Sequence, residues 1–417
     1  MSWPGHPAPS LKSRTDVPGK MSSRVALISS SYHPYPGGVE EHTRNVAREL
    51  RGLGHEVVIW TVDRGERLGT QLVDGIEVRY LPTPLPAANL GAVGRFVRDL
   101  PSAWRAWRSA LRDFGPDILH VQCFGPNGLY ALALHHRTRV PLVVSAHGET
   151  FMDEDDVFTN SQILRRGLSR ALKAAGAVTG CSTMVLDDLR ARFGLVGGVV
   201  VPNGVDLDEA ERLGLPEVPR TAAGEPTVYS VGRIVKVKGF DLLIRAFARA
   251  ATPPGTRLVI GGGGPELSSL AALVAELGLA GRVEFLGRLE RDEVIHGMAS
   301  ADLIVVPSRV EAFGIVVLEA WRSGAALLAT NRGGPADLVT PEVDGVLVDP
   351  EDVDQFAAAL SRLLADSALR ERLAVHGLQT VQRYTWRRTA LAYEDAYRQA
   401  GQPAAGSSNR HPEGVRP

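Results

Sequence analysis

Two carboxylates, Glu311 and Glu319, stand with seven residues between them in the segment Pro-Ser-Arg-Val-Glu-Ala-Phe-Gly-Ile-Val-Val-Leu-Glu-Ala, one on either side of a predicted helix start. The apolar run Leu303 to Val306 predicts a buried strand, Pro307-Ser308 ends it, and Gly314 allows close backbone approach to a ligand before Ile315 to Trp321 continue as a helix. A helix starting near Gly314 aims free N–H groups and a positive dipole end into the turn, which suits an anion such as phosphate. The two glutamates can then grip hydroxyls at either end of a phosphorylated ligand. Eight steps of helix rise amount to roughly 12 Å, about the span of a nucleoside diphosphate with its attached group rather than of one reacting bond.

Other residues of the right chemistry follow other predicted strand ends. Ser230-Val231-Gly232-Arg233-Ile234-Val235-Lys236-Val237-Lys238-Gly239 leaves a strand and enters a helix, so Arg233 and Lys238 flank one loop. A guanidinium fork and a point ammonium suit a pyrophosphate that is held and later released. Gly261-Gly262-Gly263-Gly264-Pro265 lacks the Gly-Lys-Ser/Thr of a P-loop, and Glu266 occupies the place of the third dinucleotide-fingerprint glycine, leaving a ligand approach or a simple turn. Tyr35-Pro36-Gly37-Gly38-Val39-Glu40 opens a helix after the first strand, an approach site for an anion or sugar or again a turn. His147, in Ser145-Ala146-His147-Gly148-Glu149, follows the fifth strand, where a side chain points into the cleft of a parallel sheet.

What positions these residues is an alternation of β-branched runs with amphipathic helices, which occurs twice and predicts an α/β chain with two Rossmann-like doubly wound domains facing an interdomain cleft. The first set of strands is Val25–Ser29, Val57–Thr61, Ile76–Leu81, Ile118–Val121, Leu142–Ser145 and Val178–Cys181; the second is Thr227–Val231, Leu258–Ile260, Val283–Phe285, Leu303–Val306, Ala325–Ala329 and Val346–Val348. Expected boundaries are a disordered extension at 1–22, a first domain at 23–205, a linker at 206–225, a second domain at 226–384, a helix at 385–400 crossing back to the first domain, and a disordered tail at 401–417.

The order Gly37-Gly38, His147-Gly148, Asn203-Gly204-Val205-Asp206, Gly232-Arg233 with Lys238-Gly239, Glu311 and Glu319, and Gly333-Gly334 resembles glycosyltransferase family 4, retaining transferases of GT-B fold, over about residues 24–400. The resemblance implies transfer of a sugar from a nucleoside diphosphate sugar, UDP- or GDP-linked, to a hydroxyl acceptor bound by the first domain, with no metal or other cofactor. It implies that Arg233 and Lys238 hold the donor pyrophosphate, that Glu319 binds the ribose and Glu311 the transferred sugar, and that the amides of Phe313, Gly314 and Ile315 meet phosphate or sugar. His147 is implied beside the anomeric carbon, and Gly37-Gly38 in the loop closing over the substrates. Asp337, after Gly333-Gly334-Pro335-Ala336, departs from the glutamate common there.

Other readings of the same residues are a glycoside hydrolase using Glu311 and Glu319 as its carboxylate pair, a non-catalytic nucleotide-sugar-binding module, and a metal-dependent transferase using Asp153-Glu154-Asp155-Asp156 or Asp206-Leu207-Asp208. The hydrolase leaves Arg233 and Lys238 without a task, and the duplicated sheets argue against the metal-dependent fold. With 46 Lys+Arg against 47 Asp+Glu the chain offers no field for nucleic acid. Cys123 and Cys181 lie far apart without metal-ligand spacing, and neither a signal peptide nor an apolar run of membrane-spanning length is found, so a cytoplasmic location is expected. Trp104, Trp107 and Leu111 fall on one helical face with Arg105, Arg108 and Arg112 on the next. Peripheral contact with the inner face of the membrane is one reading of that helix; packing of the Trp stripe on the sheet, with a solvated Arg row, is preferred.

Overall fold

The computed structural model describes residues 22–35, 37–86, 90–152, 157–214 and 225–402. The extension before Ser22, Pro36, the acidic cluster 153–156, residues 215–224 of the linker and the tail from 403 lie outside the described residues.

The first sheet contains β1 (Arg24–Ser29), β2 (Glu56–Val62), β3 (Thr70–Val73), β4 (Ile76–Leu81), β5 (Ile118–Gln122), β6 (Leu142–Ala146), β7 (Ala177–Gly180) and β8 (Val199–Val200), in the order 3-4-2-1-5-6-7-8. The second contains β9 (Thr227–Val231), β10 (Arg257–Gly261), β11 (Val283–Gly287), β12 (Leu303–Val306), β13 (Ala326–Thr330) and β14 (Val346–Val348), in the order 11-10-9-12-13-14. The chain is therefore α/β with two parallel-sheet domains. β5, β6, β12 and β13 are buried along their whole length because helices cover both faces, which is why they read as unbroken apolar runs.

One strand departs from the parallel expectation. β3 pairs antiparallel with β4 through a two-residue turn at Asp74-Gly75, both with positive φ (50° and 73°), the geometry whose twist matches a hairpin. Its Leu72 is exposed, so Thr70–Val73 carries no core-facing run to betray it. The helix Pro126–Thr138 was also absent from the expected pattern. It buries Tyr130, Ala131 and Leu132 in succession between two neighbours, which erases a 3.6-residue stripe.

The Trp107 face of the helix Leu90–Phe114 packs into the core of the first domain. Trp107 is fully buried, stacks on Tyr130 at 5.3 Å between ring centroids, meets Trp60 edge-on and donates from Nε1 to the Pro82 carbonyl at 3.0 Å. Arg105, Arg108 and Arg112 form the solvated row. No helix of the described residues is long and apolar enough to cross a membrane.

The chain passes between the sheets twice, and the two passages bond to each other. Val205 N donates to the Tyr384 carbonyl at 3.0 Å, and Thr389 Oγ1 donates to the Pro202 carbonyl at 2.9 Å. The closing helix Trp386–Ala400 then lies on the helix Gly38–Gly52 and on β6 and β7, burying Trp386, Tyr393 and Tyr397 in the first domain. Gly204 permits this: a Cβ there would fall 2.2 Å from the Trp386 amide nitrogen. Because the obstacle is backbone, Gly204→Ala is expected to cost about 1–3 kcal/mol as overpacking, read as a lower midpoint in denaturant unfolding; an unchanged midpoint would show that the crossing relaxes freely.

Candidate functional site

Each sheet reverses its strand order once, between β1 and β5 in the first and between β9 and β12 in the second. Loops leaving such neighbouring strands diverge and open a crevice beyond their carboxyl ends. The four loops concerned carry Gly37-Gly38, Cys123 to Gly125, Arg233 with Lys238, and Glu311. The His147 loop follows the next strand, β6.

Lys238 and Glu311 meet. Lys238 Nζ donates to Glu311 Oε2 at 2.6 Å, and Ser308 Oγ donates to the same oxygen at 3.0 Å. The contact is built by backbone. Gly239 has φ 67° and lies so close to the β12 exit that a Cβ would fall 2.1 Å from the Pro307 carbonyl oxygen, while Arg309 N donates to the Val237 carbonyl. On the far side Gly333, with φ 110°, lies against the Glu311 carbonyl oxygen, where a Cβ would fall at 2.1 Å, and Gly334 N donates to that carbonyl at 2.8 Å. Only glycine fits these two positions. The glutamate loop is thus clamped from both sides.

The glycine run of β10 buttresses the Arg233 loop. Gly232 N donates to the Gly261 carbonyl, Ile234 N to Gly263 and Glu266 N to Ile234, so the open choice at Gly261 to Gly264 resolves into backbone pairing with the neighbouring loop. Arg233 itself is exposed. The helix Ile315–Arg322 starts at Gly314, φ 92°, after the buried Phe313, and no side chain caps it. Val317 N turns back to the Gly314 carbonyl at 2.9 Å, which leaves the amides of Ile315 and Val316 for a ligand or water.

Glu319, one face further along that helix, is buried and ion-paired through Oε1 to Arg291. Arg291 in turn grips Glu209 through Nε at 2.8 Å and Nη2 at 2.7 Å, and Arg322 pairs with the same Glu209. Burial opposes the Arg291 charge, but Glu319 and Glu209 outweigh it and raise its pKa. Among the described residues, neither Glu311 Oε1 nor Glu319 Oε2 has a partner, so each carboxylate has one anchored and one open oxygen.

The first domain closes on these loops. A Cβ on Gly148 would fall 2.5 Å from Ala312 Cβ, Ser182 Oγ donates to the Ala312 carbonyl at 2.6 Å, and Gly38 abuts Ile315. Asp337 accepts from Thr183 N at 2.8 Å across the cleft, an interdomain use for the residue that departs from the common glutamate. His147 is half-buried; its amide donates to Glu149 Oε2 and its Nε2 lies 2.8 Å from Gln122 Oε1. Burial lowers its pKa to about 4. The His42 ring meets it edge-on at 4.5 Å between centroids.

The structure therefore brings Lys238 to Glu311 and sets the His147-Gly148 and Gly37-Gly38 loops against residues 312–315, while Glu319 belongs to a separate cluster with Arg291. Ser308, Arg291, Gln122 and His42 escaped sequence reasoning. Gln122 had a signal: His120 and Gln122 are polar at period two in an otherwise apolar central strand. Among the described residues no three His, Cys, Asp or Glu side chains gather as a metal-ligand set, and Asp206 is paired with Arg212 and Arg48.

Two parallel-sheet domains with facing switch points define the GT-B class of glycosyltransferase. The family model Glycosyltransferase Family 4 matches residues 36–209, and Glycosyl transferases group 1 matches residues 215–379. The D-inositol 3-phosphate glycosyltransferase of Xylanimonas cellulosilytica is 29% identical over 427 aligned residues, covering 92% of this chain and 98% of the relative. The sucrose-phosphate synthase structure from Thermosynechococcus elongatus superposes with a TM-score of 0.73 at 25% identity, over 90% of this chain and 98% of that one. Anabaena HepE, solved with UDP and glucose, shares the fold with a TM-score of 0.68 at 21% identity, over 89% of this chain and 98% of its own. The chain belongs to glycosyltransferase family 4. It is an enzyme of the hexosyltransferase type, which sets aside the binding-module and hydrolase readings.

Two buried histidines, His42 and His120, and the half-buried His147 make its stability acid-sensitive. Burial lowers His42, takes His120 to about 3 and takes His147 to about 4, all below the ordinary value of 6.5. The unfolded chain therefore binds more protons in acid. Stability is full above about pH 6.5 and is expected to fall as pH drops toward 4; thermal midpoints between pH 7 and 4 test this, and His120→Asn should make the decline shallower.

Proposed function

We propose that the enzyme transfers a hexosyl group, with retention of anomeric configuration, from a nucleoside diphosphate hexose to a hydroxyl of a phosphate-bearing acceptor, without a bound metal ion. The observation that carries this is the 2.6 Å contact between Lys238 Nζ and Glu311 Oε2 at the second sheet's switch point. The diphosphate lies between Arg233, Lys238 and the amides at the start of the helix Ile315–Arg322, whose dipole favours the negative charge. Ribose hydroxyls bond the open oxygen of Glu319, and sugar hydroxyls bond the open oxygen of Glu311. His147 approaches the sugar from the first domain.

The acceptor oxygen bonds the anomeric carbon on the face from which the phosphate oxygen departs. The acceptor proton passes to that departing oxygen, leaving a glycoside of unchanged configuration and a nucleoside diphosphate. Neither glutamate transfers a proton. Arg233, Lys238 and the helix amides stabilise the developing phosphate charge, and the loops hold the reactants in register.

The assay is turnover of UDP-hexoses in the presence of EDTA, UDP being the first choice because HepE structures hold UDP and UDP-glucose. Glu319→Ala is expected to raise donor KM about 10- to 100-fold, since a hydrogen bond to a charged group is worth about 1.5–3 kcal/mol. Lys238→Ala is expected to lower kcat about 100-fold, as when one donor to a developing anion is removed. Wild-type constants in both variants, or an inverted product in the NMR spectrum, would sink the reading.

The acceptor's phosphate is supported by a groove of about 390 Å³ on the first domain, lined by Arg165, Arg166, Arg170 and Arg192 with Gln162 and Ser169. Arg192 Nη1 donates to the Thr150 carbonyl, which ties the groove to the loop that carries His147. Arg192 is paired with Asp188 at 3.1 Å, and the guanidinium groups of Arg165, Arg166 and Arg170 beside it suit a phosphate; the Xylanimonas relative is named for inositol 3-phosphate. Reversing charge with Arg165→Glu and Arg166→Glu should raise KM for a phosphorylated acceptor at least 10-fold and leave donor KM unchanged; an equal effect with an uncharged acceptor would remove the phosphate from the proposal.

A further inference from the structure

Gln122, at the carboxyl end of β5, is fully buried and spans two histidines. Its Oε1 lies 2.8 Å from His147 Nε2, and its Nε2 lies 3.1 Å from His120 Nε2. Behind His120, Nδ1 lies 2.7 Å from the Tyr397 hydroxyl on the closing helix, and Nε2 also meets Ser145 Oγ at 2.7 Å, which in turn meets Thr179 Oγ1 at 2.6 Å. An amide nitrogen only donates and an amide oxygen only accepts. With the nitrogen on the His120 Nε2 lone pair, His120 carries its proton on Nδ1 and donates to Tyr397. The oxygen then requires a proton on His147 Nε2. Both rings are neutral at pH 7, since burial takes their pKa values to about 3 and 4, so His147 Nδ1 is left as a lone pair that bonds no described residue.

We infer that Gln122 is a positioning residue that holds His147 in the Nε2–H tautomer, with Nδ1 as an acceptor for a substrate hydroxyl, and that the closing helix orients Gln122 through Tyr397 and His120. The amide orientation assigns the proton on each of the two rings, while the Ser145–Thr179 bond can run either way. The opposite orientation would put the proton on His147 Nδ1 and make it a donor, so the chain sets the chemical character of the ring and not only its place. The arrangement also gives the C-terminal helix a task beyond packing: it reaches the site along the sheet face that carries His120 and Gln122, through buried polar groups that would each be costly to leave unpaired. The inference rests on the reading of His147 as a substrate contact.

The test combines nitrogen-15 NMR of histidine-labelled full-length enzyme with a double-mutant cycle. The wild-type spectrum is expected to show His147 protonated on Nε2. Gln122→Leu should mix the tautomers and lower kcat roughly 10- to 100-fold, as when the orienting partner of a functional histidine is removed, with donor KM little changed. Gln122→Glu, which keeps an acceptor for Nε2–H, should retain the tautomer and recover most of the rate. In a His147→Ala background the Gln122→Leu effect should vanish. Wild-type activity of His147→Ala would refute the underlying reading of His147. A damaged His147→Ala with additive Gln122→Leu losses, or a wild-type His147 protonated on Nδ1, would overturn the positioning role alone. The wild-type tautomer is measurable even if Gln122→Leu does not fold.

Discussion

The site depends on a close approach of backbone to backbone. Gly239 lies against the Pro307 carbonyl and Gly333 against the Glu311 carbonyl, each at a distance that a Cβ would forbid. These contacts draw the exits of β9, β12 and β13 into one layer. Loops that leave neighbouring strands at a switch point otherwise diverge, and their side chains would be too far apart to share a ligand. The 2.6 Å meeting of Lys238 and Glu311 follows from that layer and not from any mutual attraction, which near a solvent-filled cleft is too weak to hold two loops together. The order of causes runs from glycine, to loop proximity, to charge pair.

A second constraint joins the two domains. The chain crosses between sheets at Val205 and returns at Tyr384, and the two crossings are bonded to each other, so both links between the domains run through one place. Asn203, beside the first crossing, accepts from His42 Nδ1 at 2.7 Å, and the other nitrogen of His42 takes the Tyr393 hydroxyl at 3.0 Å. His42 also meets the His147 ring. The crossing, the closing helix and the candidate site therefore share one buried polar cluster. Such a cluster is rigid only when every member is satisfied, so the bonds of Asn203 and Tyr393 to His42 support the His147 ring beside it.

How much of this was readable beforehand varied with burial. Leu303–Val306 stood out because a strand covered on both faces is apolar throughout, and Thr227–Val231 because its β-branched and aromatic residues suit a strand; their ends located Arg233, Lys238 and Glu311 on one rim. Thr70–Val73 was invisible because an exposed edge strand has no such requirement, although the Asp74-Gly75 turn beside it was a hairpin signal. The tryptophan stripe at 104–107 looked amphipathic in either of two environments, since periodicity reports an apolar face without saying what covers it. Arg291 could not have been joined to Glu319, because nothing in the spacing of a helix start at Arg291 records which carboxylate its guanidinium reaches. Gly333-Gly334 was noticed as a pattern, but its reason, the Glu311 carbonyl beneath it, exists only in three dimensions.

The two glutamates, which a hydrolase would use as an acid and base pair, are held in a way that suits neither role. Each has one oxygen committed to a cation, Glu311 to Lys238 and Glu319 to Arg291, and one oxygen open. A proton-transferring carboxyl needs freedom to change its charge during the reaction, whereas each of these is held against a cation. On the proposed reading a diphosphate arriving beside Lys238 exchanges one anionic partner of the ammonium for another. Much of the desolvation of Lys238 has already been met by Glu311, so the exchange changes the local charge balance less than binding to a bare cation would. It also leaves the diphosphate able to depart, because Glu311 remains at hand to take Lys238 back. A transferase that must release a nucleotide after every turnover gains more from this reversible pairing than from a site of maximal positive charge.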